Sequence, residues 1–292
     1  MTSVLRWTLR AGATLLFLLL ILVGVLYWMG SRAAERTYAV APRTAPLPSD
    51  APSLTHGKHV AHVLGCYDCH GDRLQGAIMA DAPPFRISAP NLTPAGIGRD
   101  YSVTDWYRAI RHGVNPEGRP LSIMPSSAYS HLSDRDAAAL IAYLQTIEPV
   151  ASDVPPTQMH ALGRILTAVG AFDPTLEMRE TISPAPSAPA WDASLEFGRY
   201  LTRISCQHCH GPDLQGQQSP APDAPYAPGL ATSGQWPFDT FSALMRTGRH
   251  PSGRQLDPKH MPWTAFRHHT EAELRGLHAY LRSLPDVPVA SR

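Results

Sequence analysis

The undecapeptides CYDCHGDRLQG and CQHCHGPDLQG begin at Cys66 and Cys206, 140 residues apart, and hold all four cysteines of the 292-residue chain. In each, two thiols stand three residues apart and a histidine follows the second directly. That pattern suits covalent attachment of haem c. The two sulfurs meet the vinyl groups on one edge of a porphyrin and form thioethers, and the next imidazole points beneath the ring, where a neutral nitrogen binds iron well. Cys66, Cys69, Cys206 and Cys209 are therefore expected to hold two covalently bound haem c groups, with His70 and His210 as proximal iron ligands. Other uses of the pairs fit less well. A zinc site brings two Cys-x-x-Cys pairs within about 15–20 residues of each other. A thioredoxin-like pair wants a βαβ setting, which the sequence does not show. Two local disulfides, natural in an exported chain, would not require a histidine at the same place twice.

The opposite face of each iron needs a ligand if it is to be closed. Most of the eight methionines are expected to be core filler, but Met124 and Met261 differ. They follow His70 and His210 by 54 and 51 residues, and each precedes a proline in the loop before the last helix of its segment. The proline stiffens that loop and removes a competing donor, so Met124 and Met261 are expected to complete the two coordination spheres. His112, His131, His250 and His260 are the possible replacements, and are otherwise read as exposed loop histidines.

The positioning elements repeat as well. IMP at 123–125 matches HMP at 260–262, LSDRDAAALIAYLQTI matches HTEAELRGLHAYLRSL, and DWYRAIRHGVNPEGR matches DTFSALMRTGRHPSGR with one inserted residue. Order is preserved over some ninety residues, so the chain is a tandem pair of homologous domains. Val60, Val63 and Leu64, and then Leu195, Tyr200, Leu201 and Ile204, suit the buried face of a helix ahead of the cysteines. Ser133-x-x-Asp136 and Thr270-x-x-Glu273 resemble capping boxes that open the last helices, and apolar residues follow at helical spacing. No stretch alternates well enough to argue for a sheet, so the expected fold class is all-α.

Ala11–Ser31 carries no charge, about the length a helix needs to cross roughly 30 Å of hydrocarbon. Arg6 and Arg10 before it favour an inside N-terminus, and Tyr27 and Trp28 suit the outer interface. The run exceeds the about 7–15 apolar residues of a cleaved signal, so an uncleaved anchor is expected. The predicted organisation is an N-terminal membrane anchor over 1–31, a linker over 32–52, a first domain over 53–150, a Pro-rich linker with a short amphipathic helix over 151–190, and a second domain over 191–286. The 25 basic and 24 acidic residues leave a net charge of +1, which gives no reason to expect a nucleic-acid partner.

Together, CYDCHGDRLQGA, SAPNLTPAGIG, DWYRAIRHGV and the IMP-containing stretch, with their second copies, resemble the class I cytochrome c domains of the membrane-associated cytochrome subunits of bacterial alcohol, aldehyde and gluconate dehydrogenases. The resemblance implies an electron-transfer protein rather than an enzyme. In that family a flavin or quinoprotein dehydrogenase passes electrons to the haems, which relay them to quinone or a terminal oxidase. Many members carry three haems, and this chain has two attachment motifs. By position the resemblance suggests that Asn91, Arg119 and Arg254 help to fix haem propionates or pocket loops. It places the protein at the bacterial inner membrane with its haem domains in the periplasm. Two alternatives stay open: a dihaem peroxidase or thiosulfate-dehydrogenase-like enzyme, and the dihaem subunit of a cbb3-type oxidase.

Overall fold

The computed structural model describes residues 3–182, 188–219 and 224–285. Residues 1–2 of the expected anchor, 183–187 of the linker, and 220–223 and 286 of the second domain lie outside the described residues. Helix α1 (Ser3–Ala34) comes first. The first repeat contributes α2 (Ala51–Val63), α3 (Cys66–His70), α4 (Val103–Tyr107), α5 (Ser126–Tyr129) and α6 (Asp134–Leu144). After α7 (Ala161–Ala168) in the linker, the second repeat contributes α8 (Leu195–Leu201), α9 (Gln207–His210), α10 (Ala231–Gly234), α11 (Phe238–Thr247), α12 (Trp263–Phe266) and α13 (Glu271–Arg282).

Each repeat is held by its first and last helices, α2 against α6 and α8 against α13. They cross so closely that only glycine fits. A Cβ at Gly57 would fall 2.0 Å from the Ala139 carbonyl oxygen, and one at Gly198 would fall 2.2 Å from that of Gly276. The same tyrosine follows each crossing, its Cβ 2.9 Å (Tyr143) or 2.7 Å (Tyr280) from the built position. Around these crossings lie the fully buried Val60, Leu140 and Ile141, and Phe197, Leu201 and Leu274. Burial on this scale is worth about 1.5–3 kcal/mol per large apolar side chain.

The all-α expectation needs correction, because the described residues include five short strands. β1 (Ala77–Ala82) and β2 (Phe85–Ala89) form a hairpin across Pro83-Pro84, and β3 (Gln158–Met159) from the linker pairs with β2 through Phe85 and Arg86. β4 (Gly216–Gln218) and β5 (Tyr226–Pro228) make the second, smaller hairpin. The sequence hid these strands for a physical reason. β1 is exposed along nearly its whole length, so neither of its faces is selected to be apolar and no period of two is written into it.

The domains meet through the acids that open their last helices. In α13 the capping box is complete: Thr270 Oγ1 accepts from Glu273 N, and Glu273 Oε2 accepts from Thr270 N. In α6 only half of it forms within the repeat, with Ser133 Oγ accepting from Asp136 N. The Ser133 N–H instead donates to the Tyr200 hydroxyl of the second repeat (2.9 Å), which in turn donates to Asp136 Oδ2 (2.7 Å). Trp191 Nε1 and His56 Nε2 donate to the same carboxylate. The exchange is reciprocal, since His59 of the first repeat donates to Glu273 of the second at 2.9 Å. Each repeat therefore sends one side chain from its first helix to the acid of the other's last helix.

Helix α1 is long and apolar enough to cross a membrane, and its apolar residues are exposed along most of its length. Its far end packs on α7 so tightly that a Cβ at Gly30 would lie 1.6 Å from the Arg164 carbonyl oxygen. The Arg164 guanidinium pairs with Glu35 at 2.9 Å and lies over the Tyr27 ring. α7 packs in turn on the hairpin, with Gly163 against Pro84 and Phe85.

Two outcomes follow. Gly198→Val forces α8 from α13 and should cost about 2–3 kcal/mol or more, read as a lowered midpoint in chemical denaturation, with Gly57→Val the same in the first repeat. Burial alone would raise the carboxyls of Asp136 and Glu273. The hydrogen bonds from His56 and Tyr200, helped by Arg135, outweigh it at Asp136, and those from His269 and His59 do so at Glu273, holding both at about 2. Groups depressed in the folded state stabilise it above their unfolded values of 3.8 and 4.5 and lose that contribution as pH falls toward 2. Denaturant midpoints at pH 6 and pH 3 should therefore differ less in Asp136→Asn/Glu273→Gln than in the parent.

Candidate haem sites

Both attachment motifs end in a one-turn helix stopped by a glycine of positive φ, and the first also begins after one. α3 starts after Gly65 (φ 75°) and stops at Gly71 (φ 84°), while α9 follows a wide helical turn over Thr202–Cys206 and stops at Gly211 (φ 87°). Three residues further on, Leu74 and Leu214 also have left-handed backbones, at φ 58° and 60°, which a leucine adopts only when its surroundings hold it there. Both are buried, and their carbonyls accept from Leu92 N and Leu230 N at 2.9 Å. This tie brings the strand-following loop back beneath the histidine.

The tie sets the histidine tautomer. The Pro90 carbonyl lies 2.8 Å from His70 Nδ1, and the Pro228 carbonyl 2.7 Å from His210 Nδ1. A carbonyl can only accept, so Nδ1 carries the proton and Nε2 is left as the free base. Burial lowers both histidine pKa values against the opposing pull of those carbonyls, which keeps the rings neutral. Burial likewise pushes the Cys66 thiol up to about 12, with Cys69 adding to it, and Cys206 up to about 11. None of the four cysteines is in a disulfide.

Each motif faces its methionine across an apolar cavity. Cys66, Cys69, His70 and Met124 line the first, with about 1340 Å³ of space counted out to its open mouth. Cys206, Cys209, His210 and Met261 line the second, with about 930 Å³. The structure therefore brings all eight sequence-selected residues together in two sets of four. A porphyrin fits these surroundings: flat and apolar, it needs mostly hydrocarbon walls and a few polar contacts. Buried polar atoms without a partner among the described residues line both cavities, Ser88 Oγ and Trp106 Nε1 the first and His260 Nδ1 the second. Buried polar groups seldom stay unpaired, and all three suit a polar edge of the cofactor.

The cavities share a wall. Leu64, Gly65, Pro125 and Tyr129 line both, and the buried Tyr129 hydroxyl donates to the Leu64 carbonyl at 2.7 Å. Sequence reasoning placed Leu64 on a buried helix face and Trp106 and Pro125 in repeated stretches, but did not foresee that Leu64, Gly65, Pro125 and Tyr129 would divide two cavities or that Trp106 would line one, because that juxtaposition exists only in the fold. The secondary candidates fall elsewhere. Asn91 knits its own loop to Val150 and Thr93, and Arg119 and Arg254 are exposed and line neither cavity. None of the four alternative histidines is fully exposed: His131 and His250 are half-buried, His112 is buried with Nδ1 on the Arg179 carbonyl, and His260 lines the second cavity beside Met261.

Paired Cys-x-x-Cys-His turns, each under a methionine-bearing loop and braced by crossed first and last helices, define a c-type haem protein. The chain belongs to the cytochrome c family, whose model matches residues 54–148 and 197–285. It is similar to the fructose dehydrogenase cytochrome subunit of Gluconobacter japonicus, at 28% identity over 280 residues covering 84% of this chain and 56% of that one. It is also similar to the alcohol dehydrogenase (quinone) cytochrome c subunit of Gluconacetobacter polyoxogenes (28%; 82% and 58%). A third relative is the gluconate 2-dehydrogenase cytochrome c subunit of Pantoea cypripedii (32% over 220 residues; 68% and 47%). The chain spans about half the length of these curated relatives. Family membership implies covalently bound haem c.

If the Tyr129–Leu64 bond braces the shared wall, Tyr129→Phe leaves a buried carbonyl unpaired and should cost about 1–3 kcal/mol, measured by thermal denaturation.

Proposed function

We propose that the chain is a membrane-anchored dihaem cytochrome that carries single electrons from a dehydrogenase to a respiratory acceptor, a quinone or an oxidase. The observation that supports it best is the pair of equivalent cavities divided by one wall, each with two thiols, an imidazole and a thioether facing inward. In this reading Cys66 and Cys69, and Cys206 and Cys209, hold the two porphyrins, and His70 with Met124, and His210 with Met261, ligate the irons. Haem iron in such a site exchanges one electron between its ferric and ferrous forms, at a potential that thioether ligation raises relative to bis-imidazole.

The polypeptide's part is to hold, shield and present. Pro90 and Pro228 aim the imidazoles, Leu74 and Leu214 lock the loops that carry those prolines, and the crossed helices keep the walls rigid so that little reorganises when charge changes. The shared wall suits transfer between the sites within one molecule. The domain limits are 53–150 and 191–286, in line with the two family-matched segments. A dehydrogenase as donor agrees with the three relatives described above, each a cytochrome subunit of a dehydrogenase. α1 is the anchor, with Arg6 and Arg10 inside and both haem domains in the periplasm.

A mass spectrum of the chain from a host competent in cytochrome maturation, with the reduced pyridine haemochrome, should give two haems that resist acid acetone; one haem or none defeats the reading. In a redox titration, Met124→Ala should lower one potential and leave the other nearly where it was. Alkaline carbonate should leave the full chain in the membrane pellet and release a variant lacking residues 3–31.

A further inference from the structure

Outside the two cavities, the densest group of coordinating side chains among the described residues lies at the seam between the domains. His56, His59 and His62 follow one another at three-residue intervals along α2 and face the second repeat, where His268 and His269 precede α13. Three donors converge among them. His59 Nε2 lies 2.9 and 3.0 Å from the two Glu273 oxygens, and His269 Nδ1 lies 3.0 Å from Oε2, with all three ligand atoms within 4.8 Å of one another.

The charge balance of this cluster differs from that of its counterpart. Asp136, the equivalent acid in the first repeat, has the Arg135 guanidinium at 3.2 Å. Glu273 is 3% exposed, and among the described residues its only ion-pair partners are the two imidazoles. A buried carboxylate without a fixed cation is costly, and a bound cation supplies what is missing. Two imidazoles and one carboxylate are donors that first-row divalent metals accept, and zinc above all.

We propose that His59, His269 and Glu273 form a divalent transition-metal site, of zinc type, that clips the two domains together. Tetrahedral bonds of about 2.0–2.1 Å set donor atoms about 3.3 Å apart. The two nitrogen–oxygen edges would open by a few tenths of an ångström, and His59, a quarter exposed, can swing to allow it. The same exposure leaves an entry path and a fourth position for water. On binding, the metal displaces the ring protons that now bridge to Glu273 and leaves each ring protonated at its other nitrogen, with no other bond made or broken. The site lies apart from both cavities and does not rest on the electron-transfer reading.

The test uses the untagged, full-length mature protein in detergent, stripped with EDTA and titrated with ZnCl2 by calorimetry at pH 7.5. Chain concentration comes from amino-acid analysis, so the stoichiometry does not depend on haem content. One zinc per chain is expected, with affinity at least tenfold weaker in His59→Gln and within twofold of the parent in His62→Gln. Zinc K-edge absorption of the parent should show imidazole nitrogens together with carboxylate or water oxygen. No saturable binding, equal affinity in His59→Gln, loss confined to His62→Gln, or a shell of oxygens alone would overturn the proposal.

Discussion

The structure depends on two helix crossings that tolerate nothing larger than a hydrogen atom at their centre. Gly57 under Ala139 and Gly198 under Gly276 set the distance between the first and last helices of each repeat, and most of the lining of both cavities comes from those helices or the chain between them, with Thr157, Gln158, Met159 and Phe172 of the linker added to the first. The acids at the start of the last helices join the two frames. Glu273 closes its own capping box and also receives His59, whereas Asp136 leaves its box open for the Tyr200 hydroxyl to complete. A local device that normally serves one helix end here also serves the interface, and the two domains pack as near-equivalents because the device was duplicated with the repeat.

Within that frame, each attachment turn works by constraint more than by reactivity. The imidazoles are neutral and aimed by a carbonyl, and the flanking leucines are locked in a conformation that leucine rarely adopts. This is chemistry suited to holding an iron porphyrin still, and it agrees with membership of the cytochrome c family.

Much of this was legible in the residues themselves. The repeated Cys-x-x-Cys-His and the Met-Pro loops identified the eight side chains that face the cavities, because covalent and coordinate chemistry demands particular residue types at nearly fixed spacing. The final helices were legible from apolar periodicity and from the Ser133 and Thr270 caps. The hairpins were not, since an exposed strand such as Ala77–Ala82 carries no amphipathic signature. The seam between the domains was hidden for another reason. His59 and Glu273 lie 214 residues apart, and nothing local to either indicates the other. Trp106 was equally silent, because its unpaired nitrogen exists only in the folded cavity.

The packing of Gly30 on Arg164 has a consequence for how the protein is made and handled. Export tags are discarded because nothing in the mature fold leans on them. Here the C-terminal end of α1 is a structural member: Arg164 reaches it by an ion pair and a ring contact, and α7 rests on it while bracing the hairpin beside the first cavity. Severing the chain near Ser31 would strip one flank of α7 to water and loosen the hairpin behind it, so a trimmed, water-soluble version would be a less well-supported molecule than the one the full sequence builds.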